Sequence, residues 1–547
     1  MEEHPVPTST TTAPRARLKT LALAGSALAA ALAVAAGHAL AQAKTADVII
    51  HGGTIYTGAE QPSFVGDVAL LGDKIVYVGP SAKGFTAKRT IEAKGMIVAP
   101  GLIDAHTHPD TYIRSADPAV RVNAPWLTQG VSTVIIGVDG YGTPDVKDDQ
   151  AKLEQQKIGT NVVSYVGFGA IRTRVLQNDA RAPTPEELER MKAMVAKGMC
   201  EGAVGFSTGL FYAPQSFAKT EEVISLAKEA AKRGGIYDTH QRDESDYTIG
   251  VLNSVKETIR IGREAGMPVH FAHLKALGID VQGQAPAIVD LINQARASGI
   301  EVNADQYPWL ASGSSLEASL IPRWAVDGGY AAMIKRFDDP ATMDKIRVEM
   351  RENLRRRGGP DSVLLTAYDV PWSGKTLTAM AKEWNVEPIE AAVRIMRQAH
   401  TKGGIASFNM AEPDVELIMK QPWVVTSSDG SDGHPRQYAT MPEKYLVYVK
   451  QKHVIDLANF IRHSTGLTAD MFKLDRRGYL KPGYFADVVV FDPNAYAPKA
   501  DYVHPRELSV GVQELFVNGE PAIDQGKITG TLAGRGLKHT PTPGTCA

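Results

Sequence analysis

Between Leu102 and Ser428 the chain repeats one unit: an apolar run, a loop, then an amphipathic helix. The runs are Leu102–His106, Ser132–Gly137, Val162–Gly167, Ala203–Ser207, Gly235–His240, Val269–His273, Glu301–Asp305 and Trp423–Ser428. Apolar residues spaced three to four apart mark helices at Pro185–Lys197, Thr220–Arg233, Ser254–Ala265 and Ala285–Ala297. Parallel strands need a crossover between them, and helices serve as crossovers. Eight strand runs alternating with helices predict an α/β fold, a (β/α)8 TIM barrel. In that architecture the reactive groups stand at the C-terminal ends of the strands.

Ionisable residues fall at those ends. The first run continues as Asp104-Ala105-His106-Thr107-His108, and strand alternation turns His106 and His108 to one side. Asp139 follows the second run, His240 ends the fifth, His273 ends the sixth, and Asp429 follows the eighth. Four imidazoles and two carboxylates at one mouth are a ligand set for Zn²⁺ or a similar divalent ion. An ion so held lowers the pKa of water to about 7 and polarises a carbonyl oxygen. Asp429 is then the candidate general base, moving a proton from water to a leaving amine. The turn-like Asp429-Gly430-Ser431-Asp432-Gly433 leaves a purely structural role open for it.

The flanks have other textures. Short strands broken by Gly fill Asp47–Pro100, and the same texture returns in Ala486–Phe491 and Glu514–Gly519. This predicts a small β-sandwich domain made from both ends of the chain, residues 42–101 and 471–547, around a barrel of residues 102–470. The stretch from Ala331 to Lys420, with its Arg-rich run Lys345–Arg357, is too long for a barrel loop and predicts a helical insertion between strands seven and eight. At the N-terminus, Arg15, Arg17 and Lys19 precede an Ala/Leu-rich run, Leu21–Ala36, and Ala39-Leu40-Ala41 supplies the small residues of a cleavage site. Residues 1–41 thus read as a signal peptide, the protein as exported and periplasmic, with no stable membrane insertion after cleavage. An uncleaved anchor is the alternative, against which stands a run shorter than the ~20 residues of a spanning helix.

With 59 basic and 61 acidic side chains, the net charge of −2 gives no ground for a nucleic-acid partner. Cys200 and Cys546 can build neither a disulfide framework nor a CxxC metal motif, which leaves metal binding to His and carboxylate.

Pro100-Gly101-Leu102-Ile103-Asp104-Ala105-His106-Thr107-His108 resembles the strand-one signature of the amidohydrolase superfamily. Gly202–Leu210, Thr239–Glu244, His273-Leu274-Lys275, Tyr307-Pro308, Ser428-Asp429-Gly430, His434-Pro435-Arg436 and Gly483–Asp487 are similar to its N-acyl-D-amino-acid deacylase (D-aminoacylase) branch. The resemblance runs from about Asp47 to Gly519. It implies hydrolysis of an N-acyl-D-amino acid, a small-molecule substrate, with one or two zinc ions. A tightly held zinc would use His240, His273 and a strand-two ligand; a weaker site would use His106, His108 and Asp429. The family's strand-two ligand is typically Cys, whereas Gly137-Val138-Asp139-Gly140 places Asp139 there. Asp139 either ligates directly or hydrogen-bonds a ligand. Direct ligation would relax selectivity for Zn²⁺ over Mn²⁺ or Co²⁺, because a carboxylate is harder than a thiolate. Phe168 stands where the family often has His.

By resemblance, Lys275 and Tyr307 bind the substrate carboxylate, with Arg172 and Arg242 as helpers; Arg242 could equally pair with Asp243 or Glu244. Leu316 and Trp372 either line the side-chain pocket or pack in a core. Gly205-Phe206-Ser207-Thr208-Gly209 matches G-x-S-x-G, but no helix follows it as a nucleophile elbow requires. A cyclic-amide hydrolase often carries a strand-four lysine, which Ala203–Ser207 lacks. A peptidase acting on D-containing peptides stays open, since a peptide is also an N-acyl amino acid. No oligomeric state follows from the sequence.

Overall fold

A computed structural model describes residues 44–431 and 433–546. The signal-peptide reading concerns residues 1–41, outside the described residues. Residues 46–82 and 87–547 form one compact unit; in the other unit the described residues are 44, 45 and 83–86, where Lys44 N donates to Gly84 O.

Eight strands occur where the sequence places them: β1 (Leu102–Asp104), β2 (Val131–Ile136), β3 (Asn161–Ser164, continued by Val166–Gly167), β4 (Gly205–Gly209), β5 (Ile236–His240), β6 (Val269–Phe271), β7 (Val302–Gln306) and β8 (Val424–Thr426). Each pairs in parallel with the next in chain order. Hydrogen bonding divides inside β3, giving a six-stranded and a four-stranded sheet. The chain just past β1 and β8 is joined by a parallel bridge, Thr107 to Gly430, with Asp429 N donating to His106 O and His108 N to Gly430 O. Every residue of β2, β4, β5 and β7 is buried, as parallel strands covered on both faces require.

The crossover helices include Pro185–Cys200, Thr220–Lys232, Val251–Ala265 and Ala285–Ala297. The first starts at a capping box, Thr184 with Glu187, and has Pro185 in its first turn, where the missing N–H costs nothing. The third ends on Gly266 at φ +73°, a left-handed cap that glycine adopts without strain.

Both ends of the chain meet in one sheet. Ile97–Pro100 pairs antiparallel with Val488–Phe491, and Val512–Val517 and Glu520–Asp524 extend that edge. On the other edge Ile97 and Val98 pair with Thr54 and Ile55. The hydrogen bonds run unbroken through one nine-stranded sheet, and residues from both chain ends, among them Val68, Leu70, Val488 and Phe516, share one core. The last residues leave it: Gly536 and Leu537 pair in parallel with Val162 and Val163 of β3. Beyond them Cys546 forms a disulfide with Cys200, which ends the helix before β4. Two cysteines 346 residues apart thus make a staple, though not a framework.

The insertion between β7 and β8 is not purely helical. Ala311–Ser315, Gly404–Phe408 and Val363–Leu365 form a three-stranded antiparallel sheet beside helices such as Pro340–Arg356 and Pro388–Gln398. Its own core includes Leu316, Ile346, Met350, Trp372 and Ile395. Leu316 and Trp372 therefore pack this insertion, and neither lines the pocket beside the candidate metal ligands.

Candidate metal centre

The ends of β1, β2, β5, β6 and β8 bring six predicted ligands together. Asp139 Oδ1 stands 3.5 Å from His106 Nε2, 3.7 Å from His273 Nε2 and 3.9 Å from His240 Nδ1. Its other oxygen stands 3.4 Å from His108 Nε2. Asp429 Oδ1 lies 3.4 Å from His108 Nε2 and 3.8 Å from His106 Nε2, and His240 Nδ1 is 3.0 Å from His273 Nε2. Asp139, His240 and His273 make one potential ligand group; His106, His108 and Asp139 make another; His106, His273 and Asp429 a third.

These residues suit zinc. Donors about 2.0–2.1 Å from one tetrahedral ion stand about 3.3 Å from each other, close to most of these separations. Both ring nitrogens of His106 and Oδ1 of Asp139 are buried without a hydrogen-bond partner among the described residues, which a native interior seldom tolerates. The field has the right sign as well. Burial disfavours charge on His106, yet Asp139, Asp305 and Asp429 overcome it and lift its pKa to about 10; a field that draws a proton also draws a metal cation. Asp305 braces the site from β7, accepting from His273 N at 2.8 Å and lying 2.8 Å from His270 Nε2.

The backbone at three of these positions is unusual. Asp139, His273 and Asp429 have φ of 55°, 34° and 46°. Asp and His are among the few side chains that enter the left-handed region with any frequency.

Lys275 and Tyr307 are close by. Lys275 Nζ lines the pocket, donating to Glu244 Oε1 at 2.7 Å and lying 2.7 Å from His273 Nδ1. Burial would raise the Glu244 carboxyl, but Lys275 and then His240 outweigh it and bring it down to about 2. The Tyr307 ring centroid is 6.4 Å from that of His273, and its buried hydroxyl has no partner among the described residues. Two groups were not assigned a role from sequence. One is Glu244. The other is Arg436, whose Nη1 lies 2.8 Å from Asp429 Oδ2 and whose guanidinium lies 4.7 Å from the Tyr307 ring centroid. Burial would lift the Asp429 carboxyl, but Arg436 and His273 hold it well below the usual range. Gly313 of the insertion makes room for Arg436, since a methyl there would overlap its guanidinium. Both residues sit inside motifs read in the sequence, Thr239–Glu244 and His434-Pro435-Arg436; a charged side chain next to a ligand was the available signal.

Arg172 and Arg242 are a correction. Arg172 is fully buried, pairs with Glu222 and donates to Arg181 O. Arg242 pairs with Glu257 at 2.8 Å and donates to Ser216 O and Ala218 O. Each guanidinium is held by a helix carboxylate and by backbone carbonyls, and neither lines the pocket.

The chain is similar to known proteins in sequence and fold. The family profile described as "Amidohydrolase family" spans residues 89–523. A D-aminoacylase from Alcaligenes xylosoxydans xylosoxydans is 30% identical over 522 residues, 90% of this chain and 98% of that one. An N-acyl-D-aspartate deacylase from the same organism is 30% identical over 514 residues, 89% and 93% of the two chains. The crystal structure of an N-acyl-D-glutamate deacylase from Bordetella bronchiseptica, complexed with zinc and a phosphonate inhibitor, aligns at TM-score 0.77 and 29% identity, covering 91% of this chain and all of that one. A D-hydantoinase structure at 15% identity and TM-score 0.54 shares the fold alone.

Proposed function

Because this chain belongs to the amidohydrolase family, among its N-acyl-D-amino-acid deacylases, we propose that it hydrolyses the linear amide of N-acyl-D-amino acids to a carboxylate and a free D-amino acid, using zinc. The observation that carries this reading is the convergence of His106, His108, Asp139, His240, His273 and Asp429, with orphaned ligand atoms, beside a pocket lined by Lys275. Asp139, His240 and His273 would hold one ion; His106 and His108, with Asp139 or Asp429, would hold a second. When bound, such an ion lowers the pKa of water and polarises the amide carbonyl. Arg436 keeps Asp429 ionised and therefore able to accept a proton from the attacking water. Asp429 then delivers that proton to the departing amine nitrogen. Lys275, Tyr307 and Arg436 bind the substrate's α-carboxylate, the anion common to all N-acyl amino acids.

The eight strands are a (β/α)8 barrel in this reading, supported by unbroken parallel order and by the bridge from Thr107 to Gly430. The protein is exported to the periplasm. The charged-then-apolar N-terminal sequence supports this, and so does the Cys200–Cys546 bond, because disulfides persist in oxidising compartments. The test is amine release from paired N-acetyl-D- and N-acetyl-L-amino acids by zinc-loaded protein. Release confined to the D series is the expected result; release from neither series sinks the proposal.

A further inference from the structure

The pocket beside the candidate metal ligands holds a buried guanidinium, Arg357, that pairs with no carboxylate among the described residues. Its lining includes His273, Lys275 and Asp429, and also Tyr247, Ser314 and Arg357. Arg357 follows the insertion helix Pro340–Arg356 and is 2% exposed. Its Nη1 donates to Ser407 Oγ at 3.1 Å, while its Nε has no hydrogen-bond partner among the described residues. The nearby carboxylates are committed elsewhere. Glu244 takes Lys275 at 2.7 Å, Asp246 lies 3.2 Å from Arg356, and Asp243 accepts from the backbone N–H groups of Ser245, Thr248 and Gly250. A second cation stands behind the wall: the Arg323 guanidinium lies 4.1 Å from the ring centroid of Phe211, which lines the pocket, and burial, with Arg357 adding to it, pushes the Arg323 pKa down to about 10. Ser314 Oγ is likewise buried without a partner among the described residues, and the Tyr247 hydroxyl faces the Arg357 guanidinium, whose carbon lies 5.8 Å from the Tyr247 ring centroid.

A buried guanidinium whose neighbours are hydroxyls and not carboxylates, with the free Ser314 hydroxyl beside it, calls for an anion, since a buried uncompensated charge is costly. An apolar side chain would leave that charge uncompensated and Ser314 Oγ unsatisfied. We propose that this pocket receives a side-chain carboxylate, so that the substrates are N-acyl-D-amino acids with an acidic side chain, aspartate or glutamate. The proposal rests on the deacylase reading and names the substrate class for that site. The Arg357 fork takes the carboxylate oxygens, and the Tyr247 and Ser314 hydroxyls donate to the remaining lone pairs. Lys275 and Arg436 are left for the α-carboxylate.

The test is kcat/KM of the zinc-loaded protein on N-acetyl-D-glutamate and N-acetyl-D-aspartate against N-acetyl-D-glutamine, N-acetyl-D-leucine and N-succinyl-D-leucine. A pocket built around buried donors should favour the better acidic substrate over glutamine by about 10²- to 10⁴-fold. Arg357→Met should erase that preference through KM, and Arg357→Lys should restore part of it. Tyr247→Phe removes one hydroxyl and keeps the ring, so it tests the pocket even if Arg357→Met does not fold; it should cut the preference about tenfold. Preference for leucine, preference for the succinyl substrate, or acid selectivity that survives Arg357→Met overturns the proposal while the deacylase reading stands. No hydrolysis of any D substrate overturns both.

Discussion

The Cys200–Cys546 bond gives a prediction whose size follows from topology. The two cysteines are 346 residues apart, so the bond closes a loop of most of the chain. Loop-closure entropy for about 346 residues is worth about 6 kcal/mol at 25 °C. A folded body of roughly 500 residues unfolds with an entropy of about 1 kcal/mol/K, so that figure corresponds to about 6 °C in Tm. Residual structure in the unfolded chain makes this a ceiling. The folded side loses little, because Gly536 and Leu537 remain paired with β3 and His539 N still donates to Gly202 O. Cys546→Ser should therefore lower Tm by about 3–6 °C, measured by circular dichroism. Wild type in reductant should melt like the variant, and reductant should not move the variant further. Cys200 ends the helix leading into β4, at the opposite end of the strand from the metal ligands, so kcat/KM should be unchanged. A Tm shift below about 1 °C would refute the loop argument, and a loss of activity would refute the separation of staple from site.

Three further outcomes follow from two residues, Asp139 and Lys444. Asp139→Asn keeps the shape but removes the charge shared by the two ligand groups; zinc affinity should fall more than about tenfold, the loss expected for an outer partner of a metal ligand, as read by metal content per chain after dialysis. Asp139→Cys should hold zinc and discriminate more strongly against Mn²⁺, because thiolate is the softer ligand. Lys444 is fully buried, with Nζ 2.9 Å from Thr426 Oγ1, and burial pulls its pKa down to about 7. Below pH 7 the folded and unfolded chains both carry the charge and its burial cost is fully present. From about pH 7 toward the ordinary lysine value the unfolded chain binds the extra proton, so stability rises with pH. Lys444→Met should flatten the rise in Tm between pH 7 and about 9.5.

What the sequence made legible is local chemistry. The eight strands lie where apolar runs alternate with helices, and the six candidate ligands stood out because titratable residues seldom recur at strand ends without a use. What it hid depends on partners far along the chain. Arg172 looked free and Arg242 looked able to pair with its neighbours Asp243 or Glu244, but Glu222 and Glu257, 50 and 15 residues on, hold them. Arg436 had no visible role because its place depends on Gly313, which arrives from the insertion. The insertion's own sheet begins with Ala311-Ser312-Gly313-Ser314-Ser315, a stretch of low strand propensity that becomes a strand by pairing with Gly404–Phe408.

The left-handed backbone at Asp139, His273 and Asp429 links fold to chemistry. Each lies just past the end of its strand, where the next side chain in regular alternation would continue along the strand direction. Leaving the strand through a left-handed turn re-aims the side chain, and the three turns place Asp139 Oδ1 3.7 Å from His273 Nε2 and Asp429 Oδ1 3.4 Å from His108 Nε2. Such conformations cost about 1–3 kcal/mol each and persist only where surrounding bonds fix them. Here the bonds are visible: Asp305 accepts from His273 N, Asp429 N donates to His106 O, and Gln215 Nε2 donates to Asp139 O. The strands supply rigidity, the turns supply aim, and the strained positions carry Asp and His, which tolerate that backbone and can ligate a metal.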